Sequence, residues 1–277
     1  MVLGRNPEKL YIKAVTLLGT EGEEEGRKAF KLFLKAALAG HAESQFYVAS
    51  MYHTGTCVEQ DADAAFMWYT RSAEQGVPDA QVNLGTCYED AFGTAEDHDE
   101  AFRWYSAAAE QGHPIALNNI GNIYELGRHG EPDPRKAFEC YLKAAEKGYD
   151  TAQFNTGRCY AEGIGTEVSL RNAAEWYDKA AKQGNMYAQN NLATLFLEGR
   201  GVQKSYEKAF ELFTASAKQG FPYAFMGLGQ MYEYGFHVKK SKDEAIKWYA
   251  KASTSGCHEA IECLEHIGGN DNGISGE

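Results

Sequence analysis

The apolar positions of this chain return at a fixed interval. Glycines stand at 40, 76, 112, 148, 184, 220 and 256, each 36 residues after the last. Counted from each of them, offset 4 holds a small residue (Ser44, Ala80, Ala116, Ala152, Ala188, Ala224, Ala260). Offset 8 is aliphatic except at Thr156, and offset 12 is aromatic (Tyr52, Tyr88, Tyr124, Tyr160, Phe196, Tyr232). These three offsets share one stripe of a helix with about 3.6 residues per turn, so they predict a first helix in every period. The small residue marks where a neighbouring helix comes close. At offset 15 stand Gly55, Gly127, Gly163, Gly199 and Gly235, with Ala91 out of step. Glycine there supplies the left-handed residue that stops a helix. Pro78, Pro114 and Pro222 follow their glycines by two residues and suit a first turn.

A second stripe completes the period. Offset 25 is alanine (Ala65, Ala101, Ala137, Ala173, Ala209, Ala245), and offset 29 is aromatic (Tyr69, Tyr105, Tyr141, Tyr177, Phe213, Tyr249). All four tryptophans fall at offset 28, and offset 33 is alanine until Ser253. The expected fold is all-α: about seven 36-residue helix-turn-helix repeats, each of two ~14-residue helices about 21 Å long. The units run about 5–40, 41–76, 77–112, 113–148, 149–184, 185–220 and 221–256. A capping helix at 257–267, wet on one side through Glu262, Glu265 and His266, closes a single solenoid over 1–267, followed by a flexible tail at 268–277. One hairpin cannot bury its apolar face alone, whereas stacked hairpins can.

Composition narrows the class. At 44% apolar and 24% charged residues, the chain is globular rather than disordered. No apolar run approaches the ~20 residues that cross a bilayer, so membrane insertion is not expected. Met1–Leu10 lacks an apolar signal core, which favours a cytoplasmic setting. With 39 acids, 27 bases and a net charge of −12, direct nucleic-acid binding is disfavoured. The six cysteines form no CxxC pair, so neither a zinc knuckle nor a disulfide framework is expected.

The units resemble Sel-1-like repeats, relatives of tetratricopeptide repeats. The likeness rests on Ala80-x3-Leu84-Gly85-x2-Tyr88, Tyr160-Ala-Glu-Gly163-Ile-Gly165 and Glu198-Gly199-Arg-Gly201-Val202. It rests also on Ala101-x2-Trp104-Tyr105-x3-Ala109-Glu110-Gln111-Gly112, and it spans about residues 6–267. The resemblance implies a right-handed superhelical solenoid whose first helices line the concave face and which acts as an adaptor between proteins. One bacterial branch carries a regular cysteine pair in each repeat. Here only Cys87 and Cys159 share a phase, so an oxidised, secreted setting does not carry over.

The tetratricopeptide groove, mapped onto this frame, points to offsets 3, 6, 7, 10, 13 and 14 as concave. Offset 7 holds Asn83, Asn119, Asn155 and Asn191; Asn118 and Asn190 lie at offset 6, and Asn122 and Arg158 at offset 10. An amide offers a donor and an acceptor, so such a ladder either is repeat consensus that bonds a neighbouring backbone or pairs with an extended peptide. Phe46, Phe154 and Met226, at offset 6, are either core residues or apolar anchors for a partner. From Glu59 to Glu110 there are 12 acids and 2 bases, including Glu89, Asp90, Glu96, Asp97, Asp99 and Glu100. This acidic patch either steers a basic partner or is a solvated loop, and it lacks the pattern of a calcium loop. From Lys239 to Lys251 the balance reverses, with 5 bases and 2 acids.

Motifs for chemistry are sparse. Glu259, Cys263 and His266 share one face of the last helix, a set that suits a soft metal, yet one helix rarely supplies a whole site. There is no GxSxG, HExxH, phosphate loop or dinucleotide loop. The reading is therefore a non-enzymatic interaction scaffold or adaptor without metal or cofactor. It binds a partner protein or extended peptide, basic if the acidic stretch takes part, on the concave face. An alternative is an acidic surface mimic that sequesters a basic or nucleic-acid-binding partner. A third reading is a hydrolase grafted onto the solenoid. The oligomeric state is left open.

Overall fold

The computed structural model describes residues 6–20 and 22–269; of the tail expected at 268–277, the first two residues are helical and the rest lie outside the described residues. Among the described residues there are fifteen helices and no strand. They form hairpins: α1 (Pro7–Leu18) with α2 (Glu23–Leu38), α3 (Ala42–Thr54) with α4 (Ala62–Glu74), and α5 (Pro78–Glu89) with α6 (His98–Glu110). Then come α7 (Pro114–Leu126), α8 (Pro134–Glu146), and the pairs α9 (Asp150–Glu162) with α10 (Leu170–Lys182) and α11 (Met186–Glu198) with α12 (Tyr206–Lys218). Last are α13 (Pro222–Tyr234) with α14 (Lys242–Thr254), and α15 (Glu259–Gly269), which extends two residues past the expected cap. The chain forms two compact units, Met1–Cys140 and Tyr141–Glu277. Inside each, every second helix packs on the first helix of the following hairpin.

Helix boundaries follow local chemistry. First helices stop at Gly55, Gly127, Gly163, Gly199 and Gly235, all with φ between 66° and 77°. In the remaining period Ala91 itself takes the left-handed conformation, at φ 55°. Second helices start at Asp61, Asp97, Ser169, Ser205 and Ser241, whose side chains accept from backbone N–H groups of the first turn. Each of these five also donates its own N–H to the carbonyl of the offset-12 aromatic, as from Asp97 to Tyr88 at 3.0 Å. Second helices end at the period glycine, which stands just after the cap. Gln75 is the cap, and Gly76 follows at φ 89° with its N–H on the Ala73 carbonyl. Val77 closes back on Ser72 at 3.4 Å, the two-bond Schellman ending.

Tyrosine seated on glycine joins the two helices of three hairpins. Tyr105 is fully buried, and a Cβ added at Gly85 would stand 2.7 Å from its ring. Gly157 receives Tyr177 and Gly229 receives Tyr249 in the same way, at 2.6 and 2.5 Å. Only the missing side chain lets the ring lie this close to the first helix.

A buried glutamine ladder links successive hairpins. Gln45, Gln81, Gln153 and Gln189 donate to the carbonyls of Ala37, Ala73, Ala145 and Ala181. Their side-chain oxygens accept from Gln75, Gln111, Gln183 and Gln219 at 2.6 to 3.0 Å. These amides give the helix-end carbonyls a second partner beside the N–H of the period glycine and tie each hairpin to the next.

Candidate functional site

The asparagines divide by environment. Asn118 is only 3% exposed, so its amide faces the interior and not a groove. Asn83, Asn119, Asn122, Asn155, Asn190 and Asn191 are half-buried on their first helices. Asn191 donates to the Tyr177 hydroxyl at 3.3 Å, and Asn119 bonds the Tyr105 hydroxyl. Burial raises the Tyr177 phenol above its ordinary range, and the Asn191 amide pulls it partly back. The offset-7 amide thus anchors the tyrosine that sits on glycine, where a bond to backbone or to a peptide was expected. Asn190 donates to Asn191 at 3.3 Å while its own side-chain oxygen is buried without a partner.

The apolar candidates at offset 6 are packed. Phe46 lies against Tyr47 and Tyr69, with centroids 5.6 and 6.2 Å away. Met226 touches the Cys257 sulfur at 3.8 Å. Phe154 is different, because its ring begins a run that reaches the surface. It meets Tyr187 at 5.6 Å, Tyr187 meets Phe221 at 5.1 Å, and Phe221 meets Tyr223 at 5.7 Å. Tyr187 is 45% exposed and Tyr223 40%. Asn155, Arg158, Asn190 and Asn191 stand on the same two first helices, α9 and α11, as Phe154 and Tyr187. Sequence reasoning missed Tyr187 and Tyr223. Both lie at offset 3, a groove position, but their aromatic character occurs in only two periods and so leaves no recurring signal.

Much of the acidic patch has local employment. Asp97 caps α6, accepting from the backbone N–H of Asp99 and Glu100, each at 3.0 Å. Asp99 pairs with His129 at 2.6 Å, Glu96 with His98 at 3.0 Å and Glu100 with Arg103 at 3.5 Å. Glu89 accepts from the Tyr105 hydroxyl at 2.8 Å and pairs with Arg128. Asp90 is exposed. The acidity of this stretch therefore serves capping and hairpin closure as well as the surface.

Among the described residues, no group of three or more His, Cys, Asp or Glu gathers closely enough to hold a metal ion. Cys257 is buried, and Cys263 packs against the Tyr249 and Ile267 cluster. Burial pushes the Cys87 thiol up to about 12, far from the thiolate range a nucleophile needs. No described helix is long and apolar enough to cross a membrane.

Comparison with known proteins gives a consistent picture. The Sel1 repeat pattern matches residues 17–41, 42–77, 78–113, 114–149, 150–185, 187–221 and 222–257. A protective antigen of uropathogenic Escherichia coli with an SLR fold is 31% identical and superposes with a TM-score of 0.84 over 95% of this chain. The chain spans 56% of that protein's length. A Sel1 repeat protein from Oxalobacter formigenes is 29% identical, with a TM-score of 0.79 over 90% of this chain and all of the other. An immunity protein from Pseudomonas aeruginosa, 22% identical with a TM-score of 0.52 over 79% of this chain and 83% of its own, shares the fold. No curated protein sequence matches this chain.

Proposed function

Because this chain belongs to the Sel1 repeat family, whose repeats generally mediate contacts between proteins, we propose that it is a non-catalytic interaction scaffold. It holds a partner protein or extended peptide along its first helices, the side expected to be concave. The observation that carries this reading is the run Phe154–Tyr187–Phe221–Tyr223, with two exposed rings beside half-buried amides. Exposed aromatics supply large apolar contact at low entropic cost, and adjacent amides can pair with a backbone. A cytoplasmic setting belongs to the same proposal.

The test places a photo-crosslinking phenylalanine analogue at Tyr187 and, in a second chain, at the exposed second-helix residue Glu211. Irradiation in native lysate should give a defined adduct from position 187, lost when Tyr223→Ala is added. Because Glu211 borders a cavity of its own, a third chain carries the analogue at Lys143, an exposed residue of the second helix α8 away from the described pockets; equal adducts from positions 187 and 143 would overturn the first-helix surface. Strong labelling of one serine or cysteine by an activity-based probe would overturn the non-catalytic reading.

A further inference from the structure

In the second unit, α12, α13 and α14 line a half-open cavity of about 250 Å³ on the second-helix side. Phe210 and Thr214 come from α12, Leu228 from α13 and Trp248 from α14, with Lys218 and Lys251 also lining it. The Lys251 ammonium lies 4.3 Å from the Phe225 ring centroid and 5.6 Å from that of Trp248. Thr214 gives the second clue. A threonine inside a helix usually turns its hydroxyl back to the carbonyl four residues before. Thr70, at the same offset in the first unit, does so, donating to Phe66 at 2.8 Å. The Thr214 hydroxyl is buried and has no partner. A buried unpaired hydroxyl in the wall of an apolar cavity is an unfavourable arrangement that a ligand acceptor would relieve.

We propose that this cavity docks an apolar side chain carried beside a carboxylate on an acidic partner segment. Its size suits one side chain rather than a cofactor. Leu228 and Trp248 supply the apolar wall, Thr214 a donor, and Lys218 and Lys251 the cations that meet the carboxylate. Glu211 lines the adjoining hollow with Lys218, leaving two cations to one anion around the opening. The equivalent positions of the first unit carry Glu74 and Ala107 in place of Lys218 and Lys251. An acidic segment is thus repelled by most of a chain of net charge −12 and finds its attractive seat here. This site stands on other residues than the first-helix surface proposed above.

The test uses fluorescein-labelled octapeptides with a central Leu, Met, Phe or Trp between Asp and Glu residues, and a matched set with lysines in place of the acids. Fluorescence anisotropy with the full chain should show saturable binding of an acidic peptide that weakens with salt, and none of the basic set. Lys218→Glu with Lys251→Ala rebuilds the first-unit lining using two exposed positions and should weaken binding more than about tenfold. Thr214→Val keeps the shape, removes the donor and should weaken it several-fold. An unchanged melting temperature for both variants keeps the fold out of the result. Tyr187→Ala with Tyr223→Ala, two exposed rings of the first-helix surface, should leave affinity and melting temperature intact; loss of affinity there would move the peptide to the first helices and overturn this assignment. Binding that survives the double lysine variant, equal binding of the basic set, or no binding up to about 1 mM would also overturn it.

Discussion

Two places in this molecule, four periods apart, are built from the same apolar parts. Phe66, Thr70, Leu84 and Trp104 in the first unit correspond to Phe210, Thr214, Leu228 and Trp248 in the second. The buried frame behind them also matches. Tyr105 sits on Gly85 and donates to Glu89 at 2.8 Å, while Tyr249 sits on Gly229 and donates to Glu233 at 2.6 Å. What changes is charge. Glu74 becomes Lys218 and Ala107 becomes Lys251, and the units differ from 22 acids and 12 bases to 17 acids and 15 bases. The period governs what the stack buries. Positions the stack does not need are free to diverge, and they decide what can dock.

If the buried frames are equivalent, equal damage should cost the same in both. Tyr105→Ala and Tyr249→Ala should each destabilise by about 3–5 kcal/mol in urea unfolding, since each empties a fully buried aromatic site. A large inequality between them would break the comparison. The seat can be tested from the other side. Gly85→Ala and Gly229→Ala push a methyl into the tyrosine ring and should each cost about 1–3 kcal/mol. Near-neutral behaviour of either one would show that its ring is free to move.

The glutamine ladder sharpens the comparison at a smaller scale. Gln81→Ala in the first unit and Gln189→Ala in the second each remove two hydrogen bonds between hairpins, while the Ala73 and Ala181 carbonyls keep the N–H of Gly76 and Gly184. Each should cost about 0.5–1.5 kcal/mol by thermal or urea unfolding. Adding Gln219→Ser to Gln189→Ala should cost little more, because the exposed Gln219 amide then has only its bond to the Gly184 carbonyl to lose. Nature has made a similar exchange at Phe225 and Ser255, where the ladder is absent and Phe225 is buried.

How far this was legible in the sequence depended on whether a residue's signal recurs. The glycine interval and the apolar stripes are properties of every period, and the fifteen helices follow them. The left-handed stops were visible as glycines for the same reason. The ladder was present at offsets 5 and 35 but went unread, because glutamine polarity suggests a surface position. The asparagines recur as well, yet Asn191 and Asn119 are spent partly on tyrosine hydroxyls and Asn118 is buried. Recurrence marks what the scaffold needs. Tyr187, Tyr223 and the charge exchange at Lys218 occur outside that pattern, so only coordinates bring them together.

The smallest expected effect concerns one residue that breaks the match. Ala91 and Gly235 occupy the same offset in the two units, and both end a first helix in the left-handed region, at φ 55° and 77°. An L-residue held there pays about 1–2 kcal/mol of steric strain, which glycine does not. Glycine in turn loses more chain entropy on folding, about 0.5–1 kcal/mol. The difference favours glycine, so Ala91→Gly should raise stability by up to ~1 kcal/mol. Gly235→Ala should lower it by somewhat more, because its new Cβ would also stand 3.1 Å from the Lys240 Cβ. A thermal melt resolves both shifts. A loss of stability in Ala91→Gly would mean that this turn is held by contacts of its own, and that the two units end their first helices by different means.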